Sequence, residues 1–370
     1  MHAECAFGPG RVNLIGDHTD YNRGLALPMA IDLGTEVRFT PDGSSRFTIF
    51  STAFTTGITL PVDIPLDPAV LEEVEPHWAR SIAAIIAAVR PERGGLVHIS
   101  STLPMGSGLS SSSALAVALA RVFGAEGSPR TISRLCQQAE ELAGIPIGMM
   151  DPMASSGGRA GQALLIDFNT LDIDYVPLPD DIEVIVVDSG VHRSLRDTDY
   201  HARVVECTAA AVTVGPLGLA DDADVIGLRD AQLSRRARHV VTECRRVRQV
   251  AEAFRADDPI TAGELMVESH RSLAEDFEVS TPVLDALVAD LVATPGVFGA
   301  RLTGAGFGGC VVALAAPGAV DLDRFATPAY RVTAADGTAA REGGPDPEGT
   351  VPPTGDPTAG LVDAPVDDPS

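Results

Sequence analysis

The stretch Pro104-Met105-Gly106-Ser107-Gly108-Leu109-Ser110-Ser111-Ser112-Ser113-Ala114 places two glycines and four consecutive hydroxyls just ahead of an apolar, periodic segment. Glycine lets the main chain approach a ligand closely, and a helix start offers unpaired N–H groups and the positive end of its dipole. Serine hydroxyls add donors for phosphate oxygens or an oxygen ligand for Mg²⁺. A flexible turn whose serine caps the helix is the simpler reading, but a cap uses one serine and this run holds four. Polyphosphate binding is the expectation.

A second stretch, Gly10-Arg11-Val12-Asn13-Leu14-Ile15-Gly16-Asp17-His18-Thr19-Asp20-Tyr21, crowds polar groups between glycines. Polyols are held by converging hydrogen bonds, and carboxylates accept from hydroxyls. Asp17, His18 and Asp20 on a loop suit a sugar edge; a polar turn leading into Leu25 fits equally well. A metal set from these three is the poorer reading, for want of a companion cluster. The third stretch, Arg301 to Cys310, carries four glycines between Gly304 and Gly309. A tight hairpin explains them. A dinucleotide fingerprint does not, since strands flank the run on both sides and no ribose-binding acid follows. Two glycine-rich loops in one chain favour joint enclosure of a nucleotide. Asp151 stands among Met149, Met150, Pro152 and Met153, where apolar surroundings raise a carboxylate's pKa and an arginine lowers it. It reads as a base or as the cap of a helix opening at Pro152.

These stretches need a scaffold. Alternation predicts strands over Glu36–Thr40, Arg46–Ser51, Leu96–Ser100, Ala163–Phe168, Glu183–Val187, Gly299–Leu302 and Gly309–Leu314. Helical spacing predicts helices near His77–Ile85, from Ser111 onward, and over Thr131–Ala143, Asp199–Val212, Arg229–Arg255, Ile260–Phe277 and Pro282–Ala293. Pro177, Pro179 and two aspartates mark a linker at Leu178–Asp181. Residues 342–370 hold seven acidic side chains, seven prolines and neither a basic nor an aromatic residue. Such a segment cannot offset its ordering entropy, so it reads as a disordered tail.

Composition narrows the chemistry. The chain has 370 residues and a formal charge of −24, which disfavours sequence-independent nucleic-acid binding. All of its 27 basic residues are arginine. A phosphate-loop lysine, a protein-kinase strand lysine and a lysine Schiff base are therefore excluded. Five scattered cysteines with no Cys-x-x-Cys pair read as reduced thiols. No apolar run approaches a membrane span and no signal-like segment opens the chain, so a cytoplasmic location is expected.

Taken together, the three stretches resemble the motifs of the GHMP small-molecule kinase superfamily, and the first of them along the chain is similar to the galactokinase branch. Eleven of that branch's twelve signature positions match from Gly10 to Tyr21. Further matches lie at Trp78–Arg80, Ala163–Asp167, Arg236–Val240 and Met266–Leu273. The resemblance implies an α/β (α+β) fold in two domains: a ribosomal-S5-like domain over 1–178 and a ferredoxin-like domain over 179–341, with substrates between them. It implies Mg²⁺-dependent transfer of the ATP γ-phosphoryl group to the anomeric hydroxyl of α-D-galactose by a monomer. Asp151 falls on the catalytic aspartate and Arg11 on its partner; Asp17, His18, Asp20, Gly148 and Tyr200 fall on sugar positions. Gly106, Ser107, Gly108, Leu109, Ser110, Ser111 and Ser112 fall on the ATP loop, and Ser112 with Glu140, or else Glu141, on the metal positions. Asp17 replaces the family's Glu, and Pro152 replaces a Gln. Those departures keep open another galacto-configured sugar or a cyclitol as acceptor, and beyond catalysis, a sugar sensor.

Overall fold

The computed structural model describes residues 3–104, 108–145, 147–191 and 197–342. The amino-terminal half runs β1 (Glu4–Asn13), β2 (Leu25–Ala26), β3 (Pro28–Pro41), β4 (Arg46–Ser51), β5 (Ile58–Pro61), α1 (Pro68–Glu72), α2 (Ala79–Val89) and β6 (Gly95–Ser101). It continues through α3 (Ser111–Val122), α4 (Pro129–Leu142), α5 (Met150–Gly157), β7 (Gln162–Asp167) and β8 (Asp172–Pro177). The remainder is β9 (Glu183–Asp188), α6 (Asp197–Val214), α7 (Asp222–Gly227), α8 (Ala231–Arg255), α9 (Pro259–Glu275), α10 (Pro282–Val292), β10 (Val297–Thr303), β11 (Cys310–Ala315), β12 (Ala329–Val332) and β13 (Ala340–Glu342).

The larger amino-terminal sheet has the order β13-β1-β3-β6-β4-β5, and a small sheet β2-β7-β8 lies beside it. Alternate residues of the large sheet, among them Val37, Phe39, Phe47, Ile49 and Val97, pack on Ile82 and Ile85 of α2 and on Val117 and Leu119 of α3. The helix that follows the serine run, α3, is rich in alanine where it meets β1. A Cβ at Gly8 would lie 2.0 Å from the carbonyl oxygen of Ala114, so the strand and helix touch main chain to main chain. That contact seats the serine-bearing end of α3 beside Arg11.

The carboxy-terminal sheet has the antiparallel order β10-β11-β9-β12, as a ferredoxin-like unit requires. Its second crossover is only a 3-10 turn at Leu322–Arg324 instead of a helix. The sheet is buried on both faces, which is why β9 and β11 read as unbroken apolar runs. Ile185, Val187, Val311 and Ala313 face α6, α8, α9 and α10. Val184, Val186, Cys310, Val312 and Leu314 share a core with Val12, Leu14, Leu27 and Met29 of the amino-terminal half. The two halves thus share one core at the level of the polar stretch that starts at Gly10.

Residues Gly10 to Asn13 close β1, so the polar stretch begins on a strand. The span 179–341 does not stay with its own sheet: after β12, Asp32 N donates to Thr333 O, Ala335 N to Ala30 O and Gly337 N to Gly158 O, and β13 then pairs with β1. Unpaired main-chain groups along β1 and β3 draw this strap back across the amino-terminal half. The tail expected over 342–370 lies outside the described residues, apart from Glu342 in β13. Among the described residues no helix is long and apolar enough to cross a membrane, and the five cysteines form no disulfide.

Candidate functional site

Arg11 leaves β1 toward the amino-terminal end of α3. Its Nε and Nη2 donate to the two carboxylate oxygens of Asp151 at 2.8 and 2.9 Å, and Nη1 donates to Gly108 O at 2.7 Å. The fork-to-fork geometry fixes both groups in one plane. The Arg11 side chain is 7% exposed and that of Asp151 25%, so the carboxylate is the open member of the pair. Asp151 lies in the first turn of α5 and caps nothing; the cap position belongs to Met149.

Ser110 holds the cap position of α3 in a left-handed conformation (φ 65°), a strained choice for serine, and its side chain makes no capping bond. Its hydroxyl instead donates to Asp151 Oδ2 at 2.5 Å. Ser111 and Ser112 are exposed on the first turn of α3, beside the unpaired N–H groups of the helix start. Leu109 is buried, and only its carbonyl, which accepts from Arg11 N, takes part here. Gly10 has no room for a side chain, since a Cβ would sit 2.8 Å from Leu109 O. Gly106 and Ser107 lie outside the described residues.

The polar stretch continues on the other side of this pair. Asp20 opens a short 3-10 turn, Asp20–Asn22. Burial, and then the charge of Asp151, push its pKa up to about 6. A Cβ at Gly148 would lie 2.5 Å from Asp20 Oδ2, so only glycine leaves that carboxylate in place. His18 has its ring 4.5 Å from that of Phe277 and 5.9 Å from that of Tyr200, and Nδ1 shares a hydrogen bond with Tyr21 Oη. Tyr200 is 37% exposed. Asp17 behaves differently: at 1% exposure its carboxylate is taken up by Asn13, Gly304 and Arg301. It faces the interior, where three donors hold it.

Of the two glutamates considered for a metal, Glu140 is buried and Glu141 exposed. Glu140 Oε1 accepts from Ser81 Oγ at 2.5 Å, while Oε2 is buried with no hydrogen-bond partner. Burial lifts its pKa to about 7 against the Ser81 bond, with Asp151 adding to the rise. An orphaned carboxylate oxygen of this kind fits a hard dication that takes its other ligands from phosphates and water. Among the described residues no cluster of three or more acidic, His or Cys side chains forms a protein-only cage.

The sequence reading gave no role to Arg301, Glu243, His239 or Phe277, although all four stand around the polar stretch. Thr303 Oγ1 donates to Asn13 O at 2.9 Å, so the third glycine-rich stretch meets the second one first. The available signal was a charged residue in an apolar register: Arg301 among the inward residues of β10, and Glu243 beside Val240, Val241 and Cys244 on α8.

Family models match three parts of the chain: the galactokinase galactose-binding signature at residues 2–41, the GHMP kinases N terminal domain at 79–159 and the GHMP kinases C terminal at 250–325. The chain is 41% identical over 325 residues to the galactokinase of Homo sapiens, covering 83% of this chain and 82% of that one. It is 37% identical over 335 residues to the galactokinase of Chloroflexus aggregans, covering 85% of each. Among solved structures, Lactococcus lactis galactokinase complexed with galactose superposes with a TM-score of 0.83 at 28% identity, covering 91% of this chain and 95% of that one. Methanococcus jannaschii mevalonate kinase shares the fold alone, with a TM-score of 0.66 at 19% identity over 91% of this chain and 99% of that one.

Proposed function

Because the chain belongs to the galactokinase family, we infer that it transfers the γ-phosphoryl group of ATP to the anomeric hydroxyl of α-D-galactose. The observation that carries this reading is the bidentate Arg11–Asp151 pair at the serine-bearing end of α3. Phosphoryl transfer asks a protein mainly for positioning and charge neutralisation. Asp151 faces the acceptor hydroxyl and orients it or takes its proton; Arg11 holds that carboxylate in place through two hydrogen bonds and offsets charge that develops on the transferring group.

Gly108 to Ser112 line the phosphate cradle, to which Gly106 and Ser107 belong by sequence, and main-chain N–H groups and hydroxyls there do the work that lysine performs elsewhere. Asp20 and His18, with Gly148 leaving room and Tyr200 at the rim, bind the sugar, and Asp17 belongs to the same loop. Glu140 and Ser112 would hold Mg²⁺, which would neutralise phosphate charge when bound. The reduced-thiol composition supports a cytoplasmic location, and we read the enzyme as a monomer.

The deciding experiment supplies purified enzyme with ATP, Mg²⁺ and, in turn, galactose, glucose, galactosamine, arabinose, galacturonate and cyclitols, and follows ADP release. The reading expects galactose to give the highest kcat/KM and the product to carry phosphate at C1. A higher value for another acceptor would replace galactose, and sugar binding without ADP release would mark a sensor.

A further inference from the structure

We propose that Arg301 is a positioning residue for sugar recognition, and that Asp17 serves the sugar through Arg301 and not by contact. The proposal deepens the galactokinase reading and rests on it for the identity of the sugar. An ionised carboxylate offers about four acceptor sites. In Asp17, Oδ1 accepts from Asn13 Nδ2 at 2.9 Å and from Gly304 N at 3.1 Å, and Oδ2 accepts from Arg301 Nη2 at 2.5 Å. Arg301 is wholly buried, and its Nη1 donates to Asn13 O at 3.3 Å and Leu14 O at 3.1 Å. One guanidinium thus grips the carboxylate and the main chain of the same loop, a task that needs the planar fork.

A second anchor works from α8. Glu243, also wholly buried, accepts from Gly16 N at 3.0 Å and Ser269 Oγ at 2.6 Å through Oε1, and from Arg246 Nε at 2.9 Å through Oε2. Its Oε1 lies 3.8 Å from Arg301 Nη2. His239 touches Asp17 O through Nε2 at 3.2 Å. From Asn13 to Asp17 the loop therefore hangs on β10, α8 and the third glycine-rich stretch. Immediately beyond, His18 turns left-handed (φ 64°) and the chain delivers Asp20 next to Gly148. The shorter Asp arm suits this inward role: it closes on Arg301 without reaching further. Sugar-facing work falls to Asp20 and His18, whose placement depends on how firmly the preceding residues are held.

The test uses Asp17→Asn, which keeps the side chain's shape, and Arg301→Lys, which keeps the charge but loses the fork; retained circular dichroism marks folded protein. Without any sugar, hydrogen exchange at the amides of residues 13–20 should quicken about tenfold in both variants, as coupled buried neighbours predict. Unchanged exchange would overturn the proposal whatever the substrate proves to be. Calorimetric titration with galactose, and with galactose lacking the hydroxyl at C2, C4 or C6, should then show a Kd raised by one common factor in Asp17→Asn, with ATP affinity unaltered. Loss of that factor for one deoxy sugar would identify a hydroxyl that Asp17 touches directly and would refute positioning. Wild-type protein that binds none of these sugars would overturn the galactose reading, while the exchange result still judges the network.

Discussion

The hydroxyl of Ser110 donates to Asp151 at 2.5 Å while its backbone sits in the left-handed region at the start of α3. The strained residue spends its side chain on the carboxylate and leaves the first turn of its own helix unpaired, hence open to an anion.

Replacing Ser110 should separate strain from chemistry. Ser110→Gly loses the bond to Asp151 but relieves a conformation that costs serine about 1 kcal/mol, so it should melt below wild type and above Ser110→Ala. Ser110→Ala keeps the strain and loses a charge-assisted bond worth roughly 1.5–3 kcal/mol, so it should melt earlier. Both should lower kcat, because each removes a donor that orients Asp151. Thermal denaturation beside steady-state kinetics reads the two effects apart; an unchanged kcat in both variants would contradict this role.

Asp151→Asn should reduce kcat by roughly 10²–10⁴, the usual range for a positioned base. Sugar binding should persist, since the amide retains the shape beside Arg11. Calorimetry for galactose and ADP release for turnover give the comparison, and wild-type turnover would remove Asp151 from the mechanism.

Glu140 makes stability depend on pH. Its folded pKa of about 7 lies above the ordinary 4.5, so the fold favours the protonated form. The stability this gives is complete below pH 4.5 and is lost as pH rises through 7. Without nucleotide, Glu140→Gln should therefore gain on wild type as pH climbs from 4.5 to 7, by up to about 3 kcal/mol. Denaturant melts at several pH values would show it, and a pH-independent difference would rule it out. Asp20, at about 6, should add an acid limb to sugar binding, with affinity falling as pH drops below 6.

Gly148→Ala should push on Asp20 Oδ2, which a new Cβ would approach to 2.5 Å. Overpacking of this size costs about 1–3 kcal/mol, equivalent to a rise in sugar KM of about 5–150-fold, with the KM for ATP unchanged. Equal rises in both constants would mean a general defect.

Chain length offers a further check. A chain ending at Glu342 retains the strap and should keep full activity. One ending at Val332 loses β13 and the bonds from Thr338 to Ser155 O at the far end of α5, and should lose most of its activity. Assay of both truncated proteins decides between a spare and a necessary strap.

Much of this arrangement was legible in the sequence for a physical reason. Periodic burial announces elements such as β4, α3 and α10, and glycine with serine announces a main chain free to meet a ligand. Arg11 and Asp151 were visible as chemistry, but their pairing across 140 positions was implied only by resemblance. Asp17 shows the boundary best. Its residue type says acceptor, yet whether it accepts from a sugar or from Arg301 depends on a strand that arrives 284 residues later. Strands as short as β2, β12 and β13 carry too few residues for alternation to register, and they are set by the unpaired edges they meet.

The pairing of β13 with β1 also orders events during synthesis. The strand bearing Arg11 leaves the ribosome well ahead of its outer neighbour, a separation of some tens of seconds at ordinary elongation rates. Until then the nascent chain carries a bare sheet margin, exposed to chaperones and to other nascent copies, and the half that would hold the nucleotide cannot finish folding ahead of its successor.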